Sequence, residues 1–264
     1  MMETLQKTSL QQCCGEEELK EINVACQKLI EERERGQQDL SEAVKSFKEL
    51  TNTLTMYLFC VVSPVSNVHV AKPPEPKTQN DFLQYSCQLQ MDPNTAHTKL
   101  KLSEKNRRAS CSYKVQKYPD HPERFDGFHY ILCREGLCGR CYWEVECSGD
   151  DCVIAVCYKG ISRKGKSGDC RLGFNKKSWR LSCSQKNFCF LHDNNQVCIP
   201  VVPSSRIGVY LDHRAGTLCF YRISKTMTLL HRVQTTFTEP LYPAFGIGDC
   251  SIIKIIQHEK VHID

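Results

Sequence analysis

The amino-acid sequence predicts a mainly β protein: an antiparallel two-sheet β-sandwich preceded by an N-terminal α-helical coiled-coil segment. Three observations predict it. A heptad of apolar residues runs from Leu19 to Tyr57, a proline-rich stretch follows, and beyond residue 81 short alternating runs are separated by Gly, Pro, Asn and Asp. The chain divides accordingly into a helical segment at 1–63, a linker at 64–80 and a β domain at 81–264.

In the first segment Leu19, Ile22, Cys26, Leu29, Arg33, Gly36, Leu40, Ala43, Phe47, Leu50, Leu54 and Tyr57 follow alternating steps of three and four. That spacing draws one seam down a helix, and only Arg33 and Gly36 interrupt it. Glu, Lys, Gln and Arg fill most of the remaining positions, as solvated faces require. The strict heptad favours pairing with another helix, so a homodimer through this segment is expected. An amphipathic helix packed on its own domain is the competing reading.

Pro64 is expected to close the helix. The run Ala71-Lys72-Pro73-Pro74-Glu75-Pro76-Lys77 cannot continue a helix or a sheet ladder, because each proline lacks an amide donor. Beyond it, Cys141–Cys147, Val153–Tyr158, Arg206–Leu211, Thr217–Ile223 and Ser251–Ile256 read as strands. Trp143, Val145 and Cys147 share one strand face, and Glu144 and Glu146 the other. Trp143 and Trp179 are assigned to the core, and Glu144 and Glu146 to solvent. No long helical pattern interrupts this half, which argues against a parallel βαβ architecture.

Composition excludes several classes. A net charge of +5 over 264 residues is too weak and too diffuse for a nucleic-acid-binding surface. The 18 cysteines fit either a disulfide-stapled secreted protein or one that uses Cys as a small apolar residue. Residues 1–20 hold no apolar signal core and carry Glu16, Glu17 and Glu18, and the apolar run Leu54–Val62 is too short for a bilayer. A cytoplasmic chain with reduced thiols and no membrane contact is therefore expected. Cys147, Cys157 and Cys219, set in apolar runs, are expected to be buried.

Leu89-Gln90-Met91-Asp92-Pro93-Asn94-Thr95-Ala96-His97 and Leu100-Lys101-Leu102-Ser103 resemble the opening of a PRY-SPRY (B30.2) domain. Tyr118 to Asp126, Leu132 to Leu137 and Gly139 to Glu146 follow in the order of that family. Arg206 to Asp212, Ala215 to Tyr221 and Pro240 to Gly246 resemble its SPRY half. The intact Tyr118–Asp126 run looks like the fish tripartite-motif proteins and their relatives. The resemblance implies a bent two-sheet sandwich at 81–264 whose loops bind a partner protein, and a helical segment like the tail of the tripartite-motif coiled coil.

Nothing before residue 80 offers paired Cys/His ligands at finger spacing, so RING and B-box are expected to be absent and ubiquitin-ligase activity is not carried over. By resemblance the partner surface forms from loops around Tyr118–Phe128, Gly160–Trp179, Cys183–Phe188 and Phe245–Asp249. Within them Ser184, Lys186, Phe188, Phe245, Ile247, Asp249, Arg163 and Lys164 are the candidate partner-binding residues, because aromatic and charged anchors dominate interfaces.

Gly160-Ile161-Ser162-Arg163-Lys164-Gly165-Lys166-Ser167 spells a P-loop, but Gly168-Asp169 and Gly173 leave no room for the helix whose N-terminus such a loop needs. Only Cys138-x-x-Cys141 has zinc-knuckle spacing, and no second such pair follows, so no metal is expected. Cys170 beside Arg171 is the best candidate for a reactive thiol. His121, His192 and His213 are read as ordinary loop residues, and no nucleophile elbow is present, so neither an enzyme nor a cofactor is expected.

Arg163, Lys164, Lys166, Arg171, Lys176, Lys177 and Arg180 form a basic set, read first as a solvated rim. It could also take a phosphorylated small ligand, as some butyrophilin B30.2 domains do. A secreted or pore-forming effector related to fish venom toxins is a further alternative.

Overall fold

The computed structural model describes residues 16–61, 75–149, 151–184, 187–200 and 204–258. The chain divides into two units, Met1–Asn67 and Val68–Asp264.

Among the described residues, the first unit is the helix α1 (Glu16–Val61), of 46 residues, about 70 Å long at 1.5 Å per residue. It runs unbroken through Arg33 and Gly36. Of the heptad side chains, Leu29 and Leu40 are each 65% exposed, and Cys26, Arg33, Gly36 and Ala43 are exposed as well. The side chains of Leu19, Ile22, Phe47, Leu50, Leu54 and Tyr57, and the whole of Pro64 and the linker up to residue 74, lie outside the described residues.

Among the described residues, the second unit is built from thirteen strands, one short α-helix and a single 3-10 turn. The strands are β1 (Leu100–Ser103), β2 (Arg108–Cys111), β3 (Tyr130–Leu132), β4 (Arg140–Ser148), β5 (Cys152–Tyr158), β6 (Ser178–Cys183) and β7 (Phe188–His192). They continue as β8 (Asn195–Ile199), β9 (Arg206–Asp212), β10 (Thr217–Ile223), β11 (Met227–Gln234), β12 (Leu241–Ile247) and β13 (Ile252–Ile256). One sheet runs β1-β2-β13-β4-β9-β10-β11 and the other β3-β12-β5-β6-β7-β8. All strand pairs are antiparallel. The five strands read from sequence are all present, each within one residue of its expected ends.

Alternation places every second side chain between the sheets. Trp143, Val145, Val209, Leu211 and Phe220 from one sheet meet Ile154, Val156, Leu181, Phe188 and Phe245 from the other. Trp143 and Trp179 are buried as assigned, at 1% and 3% exposed. Cys147, Cys157 and Cys219 are buried too, where a thiol serves as a small apolar group.

The outward face of the seven-stranded sheet corrects two expectations. The short helix α2 (Gln79–Leu83) lies on it, with Thr78 and Asp81 forming a capping box at its start. Phe82 packs against Tyr142, Tyr210 and Tyr221, with ring centroids 5.0 to 5.4 Å away. Glu75 pairs with Arg232 at 2.6 Å. Glu75 and Gln79, read as linker, therefore contact the sandwich.

Glu144, read as solvated, is completely buried beneath this cap. Its Oε1 accepts from Gln79 Nε2 and Tyr142 OH, both at 2.7 Å, and its Oε2 accepts from Arg206 Nε at 2.6 Å. Burial raises the carboxyl's pKa, but these three donors and the Arg206 charge outweigh it and hold the pKa below the usual carboxylate value. Glu146 is exposed as expected. Strand alternation put both glutamates on the outward face, but whether that face meets water depends on what the preceding seventy residues lay over it.

Candidate partner-binding site

The outward face of the six-stranded sheet is arranged differently. Tyr130 and Leu132 of β3, Val153, Ala155 and Cys157 of β5, and Ala244 of β12 form its apolar floor. The β5–β6 connection leaves the sheet at Tyr158 and folds back over this floor, because Ile161 and Leu172 pack into the same apolar cluster. Phe125 enters from the preceding loop, and Arg163 stacks on it at 4.8 Å.

Between these loops and the strand ends lies a concave pocket of about 250 Å³, lined by Gly127 to Tyr130, Asp151, Val153, Arg171, Arg180 and Gly246 to Gly248. Its polar groups come from four distant segments. Arg171 lies over the Phe174 ring at 3.9 Å, and Arg180 Nε donates to Ser182 Oγ at 2.8 Å. Burial pulls the Arg180 guanidinium below its ordinary pKa, and the Arg171 charge pulls the same way. Burial also raises the Tyr130 phenol, so it remains a neutral hydrogen-bonding group. Asp151 is exposed at the rim, and its carbonyl accepts from Gly248 N at 2.7 Å. A half-buried guanidinium, Arg180, and an exposed one, Arg171, beside an apolar floor can receive a carboxylate, a phosphate or an acidic loop.

Glycine at 246 is a condition of this pocket. A Cβ there would lie 2.7 Å from Tyr130 Cε1 and 3.0 Å from Val153 Cβ. The bare backbone lets the Tyr130 ring lie across β12.

Three of the four expected loops supply lining residues, the Cys183–Phe188 loop does not, and the expected side chains mostly do not reach the pocket. Phe245 and Phe188 are fully buried, and Ile247 is 2% exposed; all three belong to the inter-sheet core. None can anchor a partner by its side chain, although Ile247 contributes to the pocket wall. The reason is the period of two: between Phe245 and Ile247, Gly246 is the residue that faces outward.

Arg163 is 9% exposed, turned inward with Nη2 donating to Lys159 O at 3.0 Å. Lys164 is exposed, with Nζ 3.4 Å from His121 O. Ser184 lies in the β6–β7 turn, where Asn187 N donates to its Oγ at 3.1 Å. Asp249 is exposed beside the pocket, and Lys186 lies outside the described residues.

Of the basic set, Arg171 and Arg180 reach the pocket. Sequence reasoning missed His129, Tyr130, Asp151, Val153 and Gly246 as lining residues. Strand alternation about Phe245 could have found Gly246; nothing local marks Asp151.

The P-loop lookalike ends in a single 3-10 turn, Gly168–Cys170, with no α-helix after it. Cys170 is buried and donates to Lys164 O at 2.8 Å, which removes it from reagents in solvent. His192 is no loop residue: it ends β7, stacked on Trp179 at 4.7 Å.

Residues 89–137 match the PRY, or SPRY-associated, domain, and residues 140–258 match the SPRY domain. The sandwich is thus a PRY-SPRY domain, a protein-interaction module that is typically non-catalytic. The chain is 42% identical over 177 residues to stonustoxin subunit beta of Synanceia horrida, covering 66% of this chain and 25% of the toxin. It is 37% identical over 178 residues to tripartite motif-containing protein 16 of Mus musculus, covering 66% of this chain and 32% of that protein.

The chain therefore spans about a quarter to a third of the length of these relatives. Among solved structures, the stonustoxin structure superposes with a TM-score of 0.65 at 39% identity, over 70% of this chain and 30% of that one. The crystal structure of the TRIM65 PSpry domain gives 0.64 at 22% identity, over 70% of this chain and all of that one, a likeness of fold.

Proposed function

We propose that this chain is the recognition arm of a tripartite-motif-like protein, binding a partner protein through the pocket on the outward face of the six-stranded sheet. The observation that carries the proposal is the convergence of Arg171 and Arg180 on an open apolar floor beside Tyr130. An acidic side chain or loop of the partner fits that chemistry. Homodimerisation through the heptad of α1 raises avidity for a repetitive target; its exposed Leu29 and Leu40 supply part of the pairing seam. In this reading the chain works in the cytoplasm, without catalysis, as an immune adaptor or as a competitor of longer relatives.

The test is affinity capture from source cells with wild type and an Arg171→Ala, Arg180→Ala double variant shown to be folded. Loss of one captured protein with the variant supports the reading. Identical capture moves the binding surface elsewhere and defeats it.

A second reading, a toxin-like effector, is favoured by the 42% identity to stonustoxin subunit beta. It predicts leakage from lipid vesicles exposed to the purified chain, and the recognition reading predicts none.

A further inference from the structure

Three donor groups of different chemistry meet beside the pocket. Cys111 ends β2, His129 precedes β3, and Asp249 lies in the turn between β12 and β13. Cys111 Sγ is 3.5 Å from His129 Nδ1 and 3.4 Å from Asp249 Oδ1. All three atoms lie within 4.8 Å of one another. In a tetrahedral zinc site with Zn–S near 2.3 Å and Zn–N or Zn–O near 2.0 Å, a sulfur sits about 3.5 Å from each neighbouring nitrogen or oxygen ligand. Both sulfur distances match that edge length, so a cation can be seated with small side-chain adjustments.

Catalysis does not explain the cluster. In a nucleophilic cysteine site the carboxylate orients the histidine, and the thiol's pKa is lowered. Here Asp249 meets the thiol instead, and burial and Asp249 both raise its pKa. Structural packing does not explain it either, because Asp249 is exposed and the other two are only half-buried. Next to the cluster, His97 is held in one tautomer. Its Nδ1 accepts from Lys99 N at 3.1 Å, so its Nε2 donates to Asp126 O at 3.2 Å. Its ring lies 4.6 Å from that of His129 and forms a fixed wall.

We propose that Cys111, His129 and Asp249 form a three-ligand site for a thiophilic divalent cation, zinc first, with the fourth position open to solvent. On binding, the Cys111 thiol releases its proton to solvent as the S–Zn bond forms, while His129 coordinates as neutral imidazole through Nδ1 and Asp249 through one oxygen. Three protein ligands leave a position for water or for a donor group from a bound molecule. Because His129 also lines the pocket, a cation there adds a positive centre beside Arg171 and Arg180.

The test uses the full chain, reduced and stripped of metal by a chelator, then titrated with Co²⁺ and back-titrated with Zn²⁺. One equivalent is expected to bind with a thiolate-to-cobalt charge-transfer band, displaced by zinc. Cys111→Ser is expected to abolish that band. Asp249→Asn, an exposed change that replaces an anionic ligand by a neutral amide, is expected to weaken binding by at least about 100-fold, the upper end of what loss of a mere outer-shell partner produces. Cys250→Ser is the control: its Sγ lies against Tyr113 OH, outside the cluster, and it is expected to bind like wild type. Absence of the band in wild type overturns the proposal. So does a band of equal strength and affinity in both Cys111→Ser and Asp249→Asn, which places the cation on other cysteines. If Cys111→Ser does not fold, Asp249→Asn alone decides.

Discussion

Each sheet of the sandwich has an outward face that carries buried or half-buried charge, and the two faces solve that problem in opposite ways. On the seven-stranded sheet the carboxylate of Glu144 is roofed by α2 and paired with Gln79, Tyr142 and Arg206. On the six-stranded sheet the guanidiniums of Arg171 and Arg180 line an open pocket whose lining carboxylate, Asp151, stays exposed at the rim. A charge whose hydrogen bonds are completed inside the protein holds the fold together. A charge partly stripped of water and left without a buried counter-ion is poised for a ligand. Degree of satisfaction, more than burial, separates the structural face from the face proposed for recognition.

Substitutions can break or sharpen that contrast. Phe245→Ala, which removes the core support beneath the pocket, is expected to cost about 3–5 kcal/mol of stability; urea denaturation measures it, and near-neutral behaviour would show that the strand does not face inward. Glu144→Gln, which leaves Arg206 facing a neutral amide, is expected to cost about 2–3 kcal/mol, below the full penalty for a broken buried pair because Arg206 is partly exposed.

The same carboxylate gives a pH dependence. Its folded-state pKa is depressed, so its contribution is complete above the unfolded value of about 4.3 and fades as pH falls through the lower folded value. Wild type is therefore expected to lose more of its melting temperature between pH 5 and pH 3 than Glu144→Gln does; equal losses would mean that Glu144 is not held ionised.

Gly246→Ala, which drives a Cβ against Tyr130 and Val153, is expected to cost about 1–3 kcal/mol, as overpacking does. It should also reshape the pocket, visible as altered Tyr130 chemical shifts. The smallest effect on stability belongs to Arg171→Ala with Arg180→Ala, within about 1 kcal/mol, as expected for groups outside any completed network. Thermal melts of that double variant check it, and a collapse of stability would reassign the pair to the fold.

Much of the architecture was legible. Alternation in Cys141–Cys147 and Arg206–Leu211 marked strands, and the ordered motifs from Leu89 to Gly246 marked the domain. The pocket was legible only to the level of its loops. Phe245 and Ile247 were chosen as aromatic and aliphatic anchors, which is sound for exposed positions. Exposure along a strand, however, depends on a register that residue type does not reveal. Glu144 escaped for a related reason, since its roof is built from Gln79 and Phe82, more than sixty residues upstream. The three donors of the proposed cation site stand 18 and 138 positions from one another along the chain, a separation no spacing rule for metal ligands contains.

The β5–β6 connection is fastened to the floor of the sheet at Ile161 and again at Leu172. Between those pegs Arg163 and Cys170 also turn inward, Lys164 and Lys166 are exposed, and Arg171 stands immediately before the second peg. Such a segment is neither a free loop nor part of the framework. Its ends, with Arg163 and Cys170, belong to the fold, and the exposed stretch between them carries its charge to solvent. Under the proposed function, charge changes at Lys164 and Lys166 would retune binding from a tethered span, while the strands beneath it keep their packing.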